Sequence, residues 1–172
     1  MSSPDPASAP GLPAGLNWRC EPCPADRDKV AELVAATGFF TPEETAVAVE
    51  LVAERLNRGK LSGYEFVFVG QHTRLLGYTC FGPIPCTRGS YDLYWIAVHP
   101  EQQRTGLGRT LLAYSERLLK AAGGRRVYIE TSARLQYAPT RAFYKRCGYC
   151  QEAFLKDFYA PGDGKIIYCK AW

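Results

Sequence analysis

The segment Tyr91–Gly123, YDLYWIAVHPEQQRTGLGRTLLAYSERLLKAAG, decides the fold. Leu93-Tyr94-Trp95-Ile96-Ala97-Val98 is an unbroken apolar run with aromatic and β-branched side chains, which predicts a buried strand. Pro100 has no N–H for a ladder and stops it. After the polar spacer Glu101-Gln102-Gln103-Arg104-Thr105, Gly106-Leu107-Gly108 opens a helix. Leu107, Leu111, Ser115, Leu118 and Ala122 share one stripe of that helix, with Leu112 and Leu119 beside it. Arg109, Glu116, Arg117 and Lys120 fall on the other face, and Gly123-Gly124 supply the C-cap.

A strand, a glycine turn and a helix N-terminus together form an anion site. First-turn N–H groups have no intrahelical acceptor, and the dipole end is positive. Glycines at 106 and 108 would let a phosphate reach the backbone without meeting a Cβ. Arg104 and Arg109 add full charges. A bare Gly-x-Gly also opens many helices for packing alone, so the turn by itself leaves both readings open.

The wider pattern is more specific. Ile96-Ala97-Val98-His99-Pro100, followed by Gln103-x-x-Gly106-x-Gly108, resembles the acetyl-CoA motif of the GCN5-related N-acetyltransferases (GNAT). A dinucleotide-binding turn fits less well, because the third glycine and an early βαβ unit are missing. The resemblance implies that backbone groups of Ile96, Ala97 and Val98 pair with pantetheine. It also implies that Gln103, Arg104, Thr105, Gly106, Leu107, Gly108 and Arg109 hold the pyrophosphate of acetyl-CoA.

The flanks extend the resemblance from about residue 17 to the C-terminus. Residues 1–16 (MSSPDPASAPGLPAGL) hold little that could pack and read as a disordered tail ahead of one domain over residues 17–172. Strands are expected at Asn17–Glu21, Tyr64–Gly70, Arg74–Phe81, Arg126–Thr131, Cys150–Phe158 and Lys165–Ala171. Helices are expected at Asp26–Thr37, from Pro42 to about Asn57, and at Pro139–Cys147. Thr41-Pro42-Glu43-Glu44 carries a cap, a proline at the first helical position and two carboxylates for the dipole. The strand Arg126–Thr131 should run parallel to Tyr91–Val98, since a helix crosses between them. The fold class is therefore α/β (α+β): a mixed, mostly antiparallel sheet of seven strands with a splayed parallel central pair, flanked by about four helices, as in the GNAT fold.

Composition narrows the function. Forty-seven per cent apolar residues over 172 positions suit one domain with a sizeable core. Neither a secretory signal nor a run long enough to span a membrane is visible, so no membrane partner and a cytoplasmic location are expected. Residues 1–86 carry seven basic and ten acidic side chains, and residues 87–172 carry fourteen and seven, which gives the net +4. The basic half holds the glycine turn, which suits a polyanion such as coenzyme A. Its charges are interleaved with core helices rather than drawn into a tract, so nucleic acid is not the expected partner.

The seven cysteines include two Cys-x-x-Cys pairs, Cys20/Cys23 and Cys147/Cys150, far apart in the chain. They read as incidental or buried thiols, with no metal site and no disulfide framework. His72 and His99, the two histidines, read as loop residues, so neither a metal nor a histidine mechanism is expected.

Four further residues bear on the chemistry that the resemblance implies. Thr140-Arg-Ala-Phe-Tyr144-Lys-Arg-Cys-Gly148 resembles the family helix whose tyrosine protonates the departing thiolate. A phenol suits that place because its unperturbed pKa of about 10 lies above a thiol's. The alternative role for Tyr144 is packing beside Phe143. Tyr137 stands where the family carries an asparagine that contacts the cofactor. Glu130 ends an apolar strand and matches the catalytic glutamate of the ribosomal-protein alanine N-acetyltransferase branch, whose motifs are the nearest. Asp92 is the second candidate base, and a structural ion pair with Arg134 or Arg126 is the alternative for each carboxylate.

The expected activity is direct transfer of an acetyl group from acetyl-CoA to a primary amine of a small molecule or peptide N-terminus, by a monomer or homodimer. Glu43, Glu44, Glu50, Asp157 and Asp163 could receive a cationic acceptor, and Phe39-Phe40 could wall its site or simply staple the second helix. The competing class is a coenzyme A-binding regulatory or structural module without catalysis.

Overall fold

A computed structural model describes residues 15–172. Most of the expected N-terminal tail, residues 1–14, lies outside the described residues. Seven strands, β1 (Asn17–Arg19), β2 (Glu65–Gln71), β3 (Arg74–Pro83), β4 (Ser90–Val98), β5 (Arg126–Ser132), β6 (Cys150–Ala160) and β7 (Asp163–Ala171), form one sheet in the order β1-β2-β3-β4-β5-β7-β6. The helices are α1 (Asp26–Ala36), α2 (Pro42–Arg58), α3 (Leu107–Ala121) and α4 (Ala138–Arg146). Pairs β1–β2, β2–β3, β5–β7 and β6–β7 are antiparallel, and β4–β5 is parallel. That parallel ladder is short: it joins Ser90, Tyr91 and Asp92 to Arg126, Val127 and Tyr128 and goes no further.

The chain divides into two compact units, Met1–Gly82 with Trp95–Leu118 and Pro83–Tyr94 with Leu119–Trp172, so that β4 and α3 each contribute to both.

In the first unit both faces of β2 and β3 are covered, which is why their residues are buried without alternation. Phe66, Phe68, Tyr78 and Cys80 meet Val30, Leu33 and Val34 of α1 and Ala48 and Val52 of α2. On the other face, Thr79 and Ser115 of α3 share a buried hydroxyl–hydroxyl bond of 2.7 Å, and a Cβ on Gly77 would press on Leu111 at 3.3 Å. A side chain at 77 would crowd both the Ala97 carbonyl at 3.1 Å and the Leu111 side chain of α3.

Polar anchors fix the entries to the helices. Asp26 is fully buried, where it pairs with Arg19 and accepts from the Cys23 N–H at 2.7 Å. Thr41 and Glu44 form the reciprocal cap of α2, with bonds of 3.2 and 2.8 Å. Arg55 is buried but satisfied: it donates to the Tyr64 carbonyl at 2.6 Å and pairs with Glu21 and Glu65.

In the second unit, Val127 and Ile129 of β5 are buried, and Tyr144 meets the rings of both Tyr149 and Tyr168 of β7. Gly148, at φ +86°, ends α4 and sends the chain into β6. Strand β6 lies at the sheet edge and is exposed along nearly its whole length, with register shifts after Gln151 and Leu155.

Four expectations need adjusting. Strand β1 stops at Arg19, because Cys20 and Glu21 already turn toward the Asp26 anchor. The β6–β7 connection is a tight turn at Pro161-Gly162, with β7 beginning at Asp163 rather than Lys165. On α3, Glu116 is buried rather than solvent-facing, while Ala122 is exposed. The covered stripe runs through Leu107, Leu111, Leu112, Ser115 and Leu119 and is widened by Tyr114 and Glu116, more than a third of the helix circumference.

Candidate active site

The glycine turn belongs to the first unit. His99 leads into a single 3-10 turn at Pro100–Gln102, and its ring accepts from the Glu101 N–H at 3.3 Å. Arg74 clamps this corner, reaching Glu101 at 2.7 Å and the His99 ring at 2.9 Å. Gln103 Nε2 donates to the Val98 carbonyl at 3.4 Å, tying the spacer back to the end of β4. Arg104 at φ +64° and Gly106 at φ +94° turn the chain sharply into α3. For a non-glycine residue such as Arg104 that conformation costs about 1 kcal/mol or more, a kind of strain found where a backbone is shaped for binding.

Helix α3 takes its first intrahelical bond from the Thr110 N–H to the Gly106 carbonyl, 3.1 Å. The N–H groups of Leu107, Gly108 and Arg109 thus precede any intrahelical acceptor. The Leu107 N–H bonds the Thr105 hydroxyl at 3.4 Å, and that hydroxyl donates to the Gln102 carbonyl at 2.7 Å. Those of Gly108 and Arg109 are left for a ligand or solvent at the positive end of a 15-residue helix. A Cβ on Gly106 would meet nothing within 4 Å, so its glycine serves the positive φ and keeps the space before the helix open. Ile96 and Val98 on β4 are half-buried and Ala97 is buried.

The second unit holds the ionisable cluster. Asp92 of β4 stands opposite Tyr128 of β5, and Glu130 lies two residues beyond, opposite Ile167 of β7. Glu130 is half exposed and its Oε2 accepts from Lys165 Nζ at 2.6 Å. The Lys165 side chain is only 11% exposed. Its ammonium lies 3.6 Å from the Phe158 ring centre and 5.8 Å from that of Tyr159. Burial raises the Asp92 carboxyl above its ordinary value, the negative charge of Glu130 raises it further, and Lys165 opposes the rise. An ion pair, weighed as the alternative to a base role for Glu130, is present, but with Lys165 rather than Arg134 or Arg126. Arg134 pairs instead with Asp163 at 2.8 Å, and Arg126 lies beside Cys169.

Tyr144 is buried among Phe143, Tyr149 and Tyr168, with ring centres at 5.5, 6.0 and 6.0 Å. Burial pushes its phenol well above the usual value, so the proton stays on at every working pH. Tyr137 is half-buried at the turn that enters α4.

Of the carboxylates considered for an acceptor, Asp163 is buried and spent on Ser132 and Arg134, at 2.5 and 2.8 Å. Asp157 accepts from the Gly162 N–H at 2.8 Å within the β6–β7 turn, and Glu44 is spent on the α2 cap. Glu43 and Glu50 are exposed. Phe40 meets Trp95 at a ring-centre distance of 4.8 Å, tilted by 55°, and packs against the core of the first unit.

All seven cysteines are free thiols. Burial raises the thiol of Cys20, and that of Cys80 far more, which opposes thiolate chemistry at either. Among the described residues no three His, Cys, Asp or Glu side chains gather as metal ligands, and no helix is long and apolar enough to cross a membrane.

Lys165 is the residue that sequence reasoning passed over. The sequence marks it only as a lone cation entering the apolar run Ile166-Ile167-Tyr168-Cys169; its place beside Glu130 comes from the β5–β7 pairing.

A mixed seven-stranded sheet with a short parallel central ladder, and a glycine turn leading from one of those strands into a helix, define the acyltransferase class of fold. The family model for the Acetyltransferase (GNAT) family matches residues 28–149, and the chain belongs to that family of N-acetyltransferases. A protein from Desulfovibrio desulfuricans assigned to the GNAT family is 50% identical, over 91% of this chain and 98% of its own, with a TM-score of 0.89. The ribosomal-protein-S18-alanine N-acetyltransferase of Escherichia coli shares the fold at a TM-score of 0.70 and 20% identity, over 91% and 93% of the two chains. The PaiA N-acetyltransferase of Thermoplasma acidophilum, solved in complex with coenzyme A, shares it at 0.71 and 17%, over 91% and 99%. No curated protein matches the sequence.

Proposed function

We propose that this protein transfers an acetyl group from acetyl-CoA directly to a primary amine on a small molecule or a peptide N-terminus. One observation carries the cofactor assignment. The N–H groups of Gly108 and Arg109 are left over at the start of α3, behind a turn shaped by positive φ at Arg104 and Gly106. Such a helix start suits a pyrophosphate, with Gln103, Thr105 and Leu107 shaping the cradle and Arg104 and Arg109 adding charge. Backbone groups of Ile96, Ala97 and Val98 pair with the pantetheine amides, and Tyr137 contributes to cofactor contact. That the PaiA enzyme carries coenzyme A on the same fold supports the choice of cofactor.

In the second unit Glu130 acts as the general base. Its Oε2 is held by Lys165, and half of the side chain is exposed to a reacting group. Glu130 takes the proton from the acceptor ammonium, directly or through one water; the free amine attacks the thioester carbonyl, and a strand N–H stabilises the oxyanion. The tetrahedral intermediate collapses and the C–S bond breaks; Tyr144 offers its phenolic proton to the departing thiolate and is restored, through water, by the second proton that the nitrogen sheds. Because burial makes this phenol a weak acid, its main contribution is a hydrogen bond to the developing charge. Asp92 is the second possible base, favoured by the burial that raises its carboxyl.

The test is release of free coenzyme A thiol from acetyl-CoA across a panel of primary amines, amino-terminal peptides and aminoglycosides. Amine-dependent release with stoichiometric N-acetyl product supports the transfer. Tight coenzyme A binding with no release for any amine would instead make the protein a coenzyme A-binding module.

A further inference from the structure

The geometry points to Lys165 as a positioning residue of the proposed transfer, one that holds Glu130 in place and supplies positive charge to the carboxylates of the cluster. The inference rests on the proposed function and adds a residue to it.

Four strands converge on this ammonium. Glu130 faces it from β5, with Oε2 at 2.6 Å; Asp92 acts on it from β4; Phe158 and Tyr159 of β6 present their rings; and Lys165 itself rises from β7. Other titratable groups on those strands include Tyr159, Tyr128, which stands opposite Asp92, and Asp163, which is paired with Ser132 and Arg134. A lysine that is nearly nine-tenths covered is costly unless paired, so the seat is a built one. The aromatic faces stabilise the cation without competing for its proton.

The strand that carries Lys165 is itself locked. Ser132 stands opposite Lys165 in the β5–β7 ladder, and its hydroxyl donates to Asp163 at 2.5 Å. The Ala133 N–H donates to the Gly164 carbonyl at 2.7 Å, and Arg134 closes the other oxygen of Asp163 at 2.8 Å. A Cβ on Gly164 would strike the Leu155 carbonyl at 2.8 Å, so β6 lies tight against the base of the lysine. With one oxygen of Glu130 tied to a fixed ammonium, its other oxygen keeps a defined direction for a substrate proton.

Two carboxylates near one another resist simultaneous ionisation, and the negative charge of Glu130 adds to the rise that burial imposes on the Asp92 carboxyl. The Lys165 ammonium, 2.6 Å from Glu130, opposes that rise at Asp92. Removing it raises the affinity of the pair for protons, so the general base fills at a higher pH. The acid limb of kcat/KM must then move up, whereas a purely structural loss would lower the whole profile without moving the limb.

The experiment is the pH profile of kcat/KM with acetyl-CoA and the best amine of the panel, for wild type, Lys165→Met, Lys165→Gln and Lys165→Arg. Fold is verified by circular dichroism and thermal melting. Methionine preserves the stem against Phe158, glutamine is the second neutral variant should methionine fail to fold, and arginine keeps the charge. The expected result is an acid limb displaced upward by about half a pH unit or more in the neutral variants, with at least about a tenfold loss near pH 6 that narrows above pH 9, and a limb restored by arginine. A folded neutral variant with its limb at the wild-type position, whatever its overall rate, overturns the role of Lys165. Wild-type protein that transfers to no amine removes the proposed function itself, which is a different failure.

Discussion

The glycine turn and the ionisable cluster are built in opposite ways. The turn is one continuous stretch, Val98 to Thr110, whose bonds close over two to five residues: Gln103 to Val98, Thr105 to Gln102, Leu107 to Thr105. The cluster is drawn from Asp92, Glu130, Phe158 and Lys165, up to 73 positions apart, and exists through the registers of β4, β5, β7 and β6. A site of the first kind can be read from spacing. A site of the second kind depends on which strands become neighbours.

Variants can test whether that contrast also divides the chemistry, with catalysis in the cluster and cofactor binding in the turn. The largest effect should come from Glu130→Gln, which keeps the shape and removes the basic oxygen. An alkyl ammonium has a pKa near that of lysine, about 10, so attack at neutral pH requires a proton acceptor. We expect kcat/KM to fall by roughly 10²–10⁴, with much of the loss recovered at high pH where the amine deprotonates unaided. Asp92→Asn should cost less. Steady-state profiles of both variants decide the point: full activity in Glu130→Gln alongside a loss in Asp92→Asn would move the base to β4.

Tyr144→Phe comes next. The ring contacts with Tyr149 and Tyr168 remain, and stability should change by no more than about 1 kcal/mol. Loss of the hydroxyl should lower kcat by about a hundredfold while leaving acetyl-CoA binding nearly intact. Rapid-quench turnover and calorimetry separate the two quantities, and an unchanged kcat would return Tyr144 to packing alone.

The smallest effect lies outside both regions. Thr41→Ala removes the side-chain half of the α2 cap, and chemical denaturation should show a loss of about 0.5–2 kcal/mol with unchanged kinetic constants. A kinetic effect from this variant would mean that α2 takes part in the site.

Much of the fold was legible because its signals are local. The apolar run before Pro100, the capping box at Thr41 and the glycines after α3 and α4 each settle a boundary with neighbouring residues. The strand order was not written in this way, since β7 inserts between β5 and β6 and no short stretch encodes that insertion. Glu116 was misplaced because helical periodicity identifies an apolar stripe but says nothing about how wide a stripe the surroundings cover. In the ionisable cluster, Glu130 could be singled out as a lone carboxylate in an apolar strand. Its partner could not, because nearby arginines were the obvious counter-ions in sequence while β5–β7 pairing places Lys165 there instead. Electrostatics follows tertiary proximity, and that is the information a single sequence holds least directly.

The central claim is that the start of α3 holds the pyrophosphate, and the most direct measurement compares calorimetric binding of coenzyme A with that of pantetheine, which lacks the phosphates, in wild type and Gly106→Asp. Aspartate at this position places a negative charge in the open space before the helix and forces a side chain onto a backbone at φ +94°. The account predicts that wild type binds coenzyme A far more tightly than pantetheine. In the folded variant coenzyme A should weaken by at least about tenfold while pantetheine barely changes. An undiminished preference for coenzyme A in folded Gly106→Asp would contradict it and place the phosphates elsewhere.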